Sequence, residues 1–331
     1  MKTPDRLAPE ARPLVDAITA AFPDIGGTVT DATEARRILA QAPASPFPGP
    51  AVGEIEDREI PGAPDGPPIP VRIYRPEGGG AEPVPVVVFF HGGGWVICGL
   101  DSHDSTARAL CRDAGAVVVS VDYRLAPEHR FPAAIDDAYA AVCWVAAHAG
   151  ELGADAGALS VAGDSAGGNL AAVVAQVARD EGGPAIARQL LIYPATDARQ
   201  KTGSFEENAE GYFLTAAACA WFREQYLGPD GDPSHPRVSP LLAENLAGLP
   251  AAHIVTAGCD PLCDEGQAYA RALKDAGVPV TESRFPGMFH GFFGFPELLE
   301  DARRAVADVV EVIVSSGRDR KNDGDAGGRA G

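Results

Sequence analysis

Apolar positions follow three successive rhythms along the chain. Residues 1–45 carry helically spaced apolar side chains, Leu14, Val15 and Ile18 and later Ile38 and Leu39, interrupted by Pro and Gly. A Pro-rich connector runs from Pro43 to Pro50. Two alternating segments follow, Glu54–Ile60 and Ile69–Arg75, separated by a Gly/Pro-rich turn; they predict an antiparallel pair at a sheet edge. Beyond Gly78–Gly80 the alternation gives way to short continuous apolar runs: Val84–Phe90, Ala116–Val121, Leu159–Ala162, Leu190–Tyr193, Ile254–Ala257 and Val278–Phe285. Such runs suit strands buried on both faces. Helix-like segments at 103–114, 133–149, 166–180 and 264–276 lie between most of them, and one at 298–314 follows the last. Strand–helix alternation predicts a mostly parallel sheet with helices on both faces.

One interval departs from this order. Residues 198–248 hold Tyr212, Phe213, Leu214, Trp221, Phe222 and Tyr226 but no strand run. A long insertion of this kind in an α/β core is expected over the active face, and its aromatic density argues against a plain surface loop. From Gly317 the chain turns polar, charged and Gly-rich, which predicts a disordered tail. No internal repeat is present.

Composition narrows the function classes. With 331 residues and 46% hydrophobic content, the chain is long enough to bury a large core. Its net charge of −19 is repelled by phosphate backbones and anionic lipid surfaces, which argues against a nucleic-acid or membrane partner. The N-terminus has no apolar run behind its early charges, and no stretch reaches the ~18 apolar residues of a membrane span, so a cytoplasmic protein is expected. Six scattered cysteines are expected as buried free thiols, and Cys259 and Cys263 lack the second ligand pair of a zinc site.

The strongest chemical signal is Gly163-Asp164-Ser165-Ala166-Gly167, which follows an apolar strand and opens a helix-like run. This is the G-x-S-x-G nucleophile elbow in its strand–turn–helix setting. The tight turn forces the serine to positive φ, lifts its hydroxyl out of the sheet and aims the following N–H groups at developing negative charge. His91-Gly92-Gly93-Gly94 leaves the buried run Val84–Phe90, where glycines let backbone N–H groups approach a substrate oxygen. Gly92 and Gly93, with Ala166, are the expected oxyanion donors, and His91 is expected to orient the loop.

A serine hydroxyl needs a base and an orienting acid, in this fold in the chain order Ser, Asp/Glu, His. Of the histidines after Ser165, His253 begins a buried strand and His235 lies in the insertion. His290, between glycines and just past the last strand, is the expected base. Asp260, after the run Ile254–Ala257, is the best placed acid; Asp264 and Glu265 read as first-turn helix residues, and Asp197 is weaker. Tyr123–Arg130 reads as a polar loop bracing the elbow, with Arg124 a partner for Asp164 or Glu128.

Together these pieces resemble the hormone-sensitive-lipase-like family of carboxylesterases, in the branch with Asp before the nucleophile. The resemblance spans Val84 to His290 and rests on His91–Trp95, Asp122–Glu128, Phe131–Ala133, Gly163–Ala171, Asp260-Pro261-Leu262 and His290-Gly291-Phe292. It implies an α/β-hydrolase fold and a triad of Ser165, Asp260 and His290. The oxyanion hole would comprise Gly92, Gly93 and Ala166, with no metal or organic cofactor. It further implies a cap made of residues 1–50 and the insertion 198–248, leaving 51–197 and 249–316 as the two parts of the core and 317–331 as the tail. Members often carry Arg where this chain has Cys263, which touches the geometry of the loop beside Asp260.

The expected reaction is hydrolysis of short- to medium-chain carboxylic esters through an acyl-enzyme, with a small-molecule ester as partner. Trp95, Phe213, Leu214, Trp221 and Phe292, with Val96 and Phe293, are expected to wall an apolar pocket. Family members often dimerise through the last strand and helix, here near 278–314, so the resemblance also implies a homodimer as an expectation. Two alternatives stay open: a ligand receptor on the same fold, and acyl chemistry on amides or elimination by the same triad.

Overall fold

The computed structural model describes residues 6–41, 47–64, 66–78 and 82–327, with 318–327 as backbone only. The connector expected from Pro43 to Pro50 therefore falls partly outside the described residues. Eight strands form one sheet: β1 (Glu54–Ile60), β2 (Ile69–Arg75), β3 (Val84–Phe90), β4 (Val117–Val121), β5 (Ala154–Asp164), β6 (Arg188–Ile192), β7 (Ala251–Cys259) and β8 (Val280–Phe289). Their order is β1-β2-β4-β3-β5-β6-β7-β8. The alternating pair β1 and β2 is antiparallel at one edge, in register Glu54 to Arg75 through Ile60 to Ile69. From β4 onward every pairing is parallel.

The continuous apolar runs are the central strands. In β3, Val86, Val88 and Phe90 join the core on one face, while Val87 and Phe89 join the core on the other. All five are fully buried, each contributing about 1.5–3 kcal/mol. Helices cover both faces: α3 (Asp104–Ala114), α4 (Ala133–His148), α5 (Ala166–Asp180), α8 (Cys263–Asp275) and α9 (Glu300–Gly327). Gly115, left-handed at φ 59°, stops α3. In α9, Ala302, Ala305, Val309 and Ile313 recur at helical spacing against the core. The backbone stays helical through Gly327, where a disordered tail was expected from Gly317. The polar segment contains no proline and continues a helix already anchored upstream; residues 328–331 lie outside the described residues.

Two further helices, α1 (Ala11–Ala21) and α2 (Ala32–Ala40), come from the N-terminal segment. The insertion 198–248 supplies α6 (Gly203–Glu207), α7 (Ala216–Leu227) and a short 3-10 turn at Pro240–Leu242. Asp31 caps α2 through the Glu34 N–H, and Thr215 caps α7 through the Ala218 N–H. The two segments pack on each other: the Phe22 and Phe213 rings meet edge-on at 5.2 Å, and Trp221 Nε1 donates to Thr30 O at 2.8 Å. No helix among the described residues is long and apolar enough to cross a membrane.

Candidate active site

Ser165 sits between β5 and α5 at φ 56°, ψ −117°. The neighbouring glycines are required by packing. A Cβ on Gly167 would lie 1.9 Å from Phe90 O, and one on Gly163 2.4 Å from the Gly167 backbone. The turn is held from below by Ser165 N–H to Ile192 O at 2.8 Å. Asn169, buried one turn into α5, donates to Ala195 O and Val238 O.

Three side chains from three elements converge here. His290 Nε2 lies 2.9 Å from Ser165 Oγ, and His290 Nδ1 lies 2.8 Å from Asp260 Oδ2. Asp260 is wholly buried, and its other oxygen accepts the Leu262 N–H at 2.8 Å. The buried carboxylate thus holds the imidazole with Nε2 facing the serine. The loop carrying Asp260 is clamped by α6: Ser204 Oγ donates to Pro261 O at 2.8 Å, and Asn208 Nδ2 to Asp260 O at 2.9 Å. At the position where the resemblance implies Arg, buried Cys263 accepts from Gln267 Nε2 at 3.2 Å. A guanidinium reaches the loop from elsewhere: Arg6 donates to Gly258 O at 3.1 Å and to Asn208 Oδ1.

The rival carboxylates are committed to other partners. Asp264 accepts the Ser204 N–H at 2.8 Å, and Asp197 pairs with Arg199 at 2.7 Å. Glu265 Oε1 accepts the N–H groups of Thr196 and Asp197 at 2.7 and 3.2 Å. Burial raises the Glu265 carboxyl to about 8 against those two hydrogen bonds, and nearby Asp197 and Asp260 add to the rise. His253 bonds Thr281 Oγ1 at 2.7 Å within the sheet, away from the serine.

The glycine loop requires one correction. The Gly92 N–H is already engaged by Asp164 Oδ1 at 2.9 Å, and Gly92 does not line the cavity above Ser165. Gly93 and Gly94, at φ 112° and 60°, do line it, as does Ala166 at the start of α5. Residue spacing identified the loop but not which of its glycines reach the cavity. Asp164 also lies 3.2 Å from His103 Nε2. Burial works to raise its pKa, but the hydrogen bond and field of His103, together with His290 and His91, hold it below the ordinary carboxylate value. His91 is buried, bonds Gly92 O through Nδ1 at 2.7 Å and is pushed down to about 4 by burial, so it stays neutral.

The Tyr123–Arg130 segment braces this glycine loop rather than the elbow. Tyr123 Oη donates to His91 O at 2.7 Å, and Ala126 N–H to Trp95 O at 2.9 Å. Arg124 pairs with neither Asp164 nor Glu128 but with buried Asp137 on α4, at 2.7 Å. Glu128 pairs with Arg36 of α2 instead.

A cavity of about 380 Å³ opens above Ser165 and His290. Of the aromatic and apolar candidates, Trp95, Phe213 and Leu214 line it, and Trp221 and Phe292 do not. Trp221 points toward the N-terminal segment, bonding Thr30, while its neighbour Phe222 reaches the cavity. Phe292 is fully buried against Tyr193 and Phe285. Val96 and Phe293 are likewise core residues. Phe22 and Ile25, between α1 and α2, and Glu265 also line it. Adjacent helical positions differ by about 100° in direction, so the aromatic pair in α7 signalled a wall without saying which ring forms it. Among the described residues, Cys98, Cys111, Cys143, Cys219 and Cys263 are thiols outside any disulfide.

Comparison with known proteins shows the family of the chain. Residues 87–294 match a family described as having the alpha/beta hydrolase fold. Carboxylic ester hydrolase LipN of Mycobacterium tuberculosis is 49% identical over 280 residues, covering 82% of this chain and 73% of that protein. Carboxylesterase NlhH of the same organism is 44% identical over 311 residues, covering 92% and 96%. Among solved structures, the ester hydrolase EH1AB1 from the metagenome of Lake Arreo, in complex with a bipyridine phosphonate derivative, superposes with a TM-score of 0.86 at 42% identity, covering 93% of this chain and 98% of that one. The hyperthermophilic esterase from the archaeon Pyrobaculum calidifontis superposes with a TM-score of 0.84 at 41% identity, covering 94% of this chain and 99% of that one.

Proposed function

Because the chain belongs to the hormone-sensitive-lipase-like branch of the α/β-hydrolase family of carboxylesterases, we propose that it hydrolyses short- to medium-chain carboxylic esters with Ser165 as nucleophile, His290 as base and Asp260 as orienting acid. The observation that carries the reading is the unbroken contact from Ser165 Oγ to His290 Nε2 and from His290 Nδ1 to buried Asp260. Ser165 Oγ attacks the ester carbonyl carbon while its proton passes to His290 Nε2. The carbonyl oxygen becomes an oxyanion held by the N–H groups of Gly93, Gly94 and Ala166. Removal of one such donor costs about 2.7–4 kcal/mol in comparable sites. The intermediate collapses, the carbon–alkoxide bond breaks, and His290 returns its proton to the leaving alcohol. Water then repeats both steps on the acyl-enzyme and frees the acid.

The chain-length preference rests on the size and apolar walls of the cavity, closed over by Phe22, Phe213 and Phe222. In this reading the N-terminal helices and the insertion 198–248 form the cap. The test is covalent labelling with diethyl p-nitrophenyl phosphate. Ser165 Oγ attacks phosphorus, p-nitrophenolate leaves, and a diethylphosphoryl group remains on the Ser165 peptide. One label per chain on that peptide, lost on His290→Ala, is expected; labelling elsewhere, or none in folded protein, contradicts the assignment.

A further inference from the structure

Asp24, Asp164, Asp197 and Glu265 all line the cavity outside the triad, and Glu265 is the most deeply buried of them. Glu265, in the first turn of α8, lines the cavity together with Leu262, Cys219 and Val238 and is 1% exposed. Its two oxygens have different surroundings. Oε1 accepts two backbone N–H groups, from Thr196 and Asp197. Oε2 is buried and has no hydrogen-bond partner among the described residues. A carboxylic acid whose carbonyl oxygen takes both N–H bonds keeps its O–H as a spare donor. Leaving such a buried group unsatisfied costs about 1–3 kcal/mol. An orphaned polar atom at a substrate cavity therefore calls for a partner supplied by the ligand.

We propose that Glu265 is a specificity-determining residue that donates a hydrogen bond to an ether, hydroxyl or carbonyl oxygen carried by the substrate, so that the preferred esters are oxygen-bearing rather than purely alkyl. The inference rests on the serine-esterase reading above. It is supported by the neutral state of the group near pH 7, since burial raises its pKa to about 8. The charged groups around it reinforce that state: Asp197, tied to Arg199, and Asp260, facing His290, both disfavour a further negative charge. The nearby Cys219 thiol is itself held neutral by burial. A site built to hydrogen-bond a substrate oxygen discriminates against the analogue lacking it.

The test uses isosteric pairs. On the acyl side these are p-nitrophenyl methoxyacetate and p-nitrophenyl butyrate; on the alcohol side, 2-methoxyethyl butyrate and butyl butyrate. The ratio of kcat/KM within each pair is measured for the wild type, Glu265→Leu and Glu265→Gln. Intrinsic reactivity cancels when the ratio of a variant is divided by that of the wild type. The expected result is a loss of about tenfold in the ether preference of one pair in E265L. In E265Q, which keeps a neutral donor, the ratio should stay within about twofold. The pair that responds identifies the side of the substrate that Glu265 reads. Equal ratios in all three proteins overturn the proposal. Should E265L not fold, the wild-type ratio is compared at pH 6 and pH 9: it should fall as Glu265 loses its proton while E265Q stays flat, and a flat wild type overturns the proposal. Failure of the wild type to cleave any of the four esters would instead refute the esterase reading itself.

Discussion

Replacing Glu265 by Gln should make the protein's stability less sensitive to alkaline pH, and the size of the effect follows from the burial of this carboxyl. Its ordinary value near 4.5 is raised to about 8, with burial the leading cause. The folded state therefore holds a proton that the unfolded state has lost throughout that interval. Stability is full below about 4.5 and falls as pH rises toward and through about 8. At about 1.4 kcal/mol per pH unit the loss across the window is on the order of 5 kcal/mol. Gln presents the same carbonyl to Thr196 and Asp197 but cannot ionise. The two proteins should thus unfold within about 1 kcal/mol of each other at pH 5. By pH 9 E265Q should be the more stable by several kcal/mol, roughly 10 °C in melting temperature. The assay is thermal unfolding of both proteins in parallel from pH 5 to pH 9 at one scan rate, in which every other titrating group cancels. A difference that stays constant across this range would refute the reasoning.

Two other perturbations read the walls of the site. Asp164→Ala removes the acceptor of the Gly92 N–H and of His103, and should lower kcat for p-nitrophenyl esters by about 30- to 100-fold through a displaced glycine loop, with less change in KM; an unchanged kcat would mean the loop holds its shape without Asp164. Phe222→Ala deletes a ring that stands 2.2 Å from where a Gly94 Cβ would be, so the cavity should lengthen and the acyl optimum of a p-nitrophenyl ester series should move to longer chains; an unmoved optimum would place the acyl chain elsewhere.

Regular elements were the most legible part of the chain. The alternation in Glu54–Ile60 and Ile69–Arg75 and the unbroken run Val84–Phe90 coincide with β1, β2 and β3, because burial on one face or two imposes those patterns directly. The serine, histidine and aspartate singled out by chain order are brought within hydrogen-bond distance. Side-chain direction in irregular segments was not legible. Gly92 is set apart from Gly93 by Asp164, 72 positions away, which accepts its N–H. Trp221 and Phe222 differ by one helical step, and the phase of α7 is set by its packing on Thr30. Arg124 finds Asp137 across a helix start that local spacing alone does not specify. Phe22 and Ile25 reach the cavity from a segment far upstream, through tertiary contacts with Phe213 and its neighbours.

The central claim, that Ser165 carries the chemistry, is tested most directly by hydrolysis of p-nitrophenyl butyrate. The purified protein is assayed beside Ser165→Ala at equal concentration, both shown to be folded by circular dichroism. The account predicts steady turnover by the wild type and a loss of at least about 10³-fold in kcat for the variant. Equal turnover by both proteins would contradict it and remove Ser165 from its role.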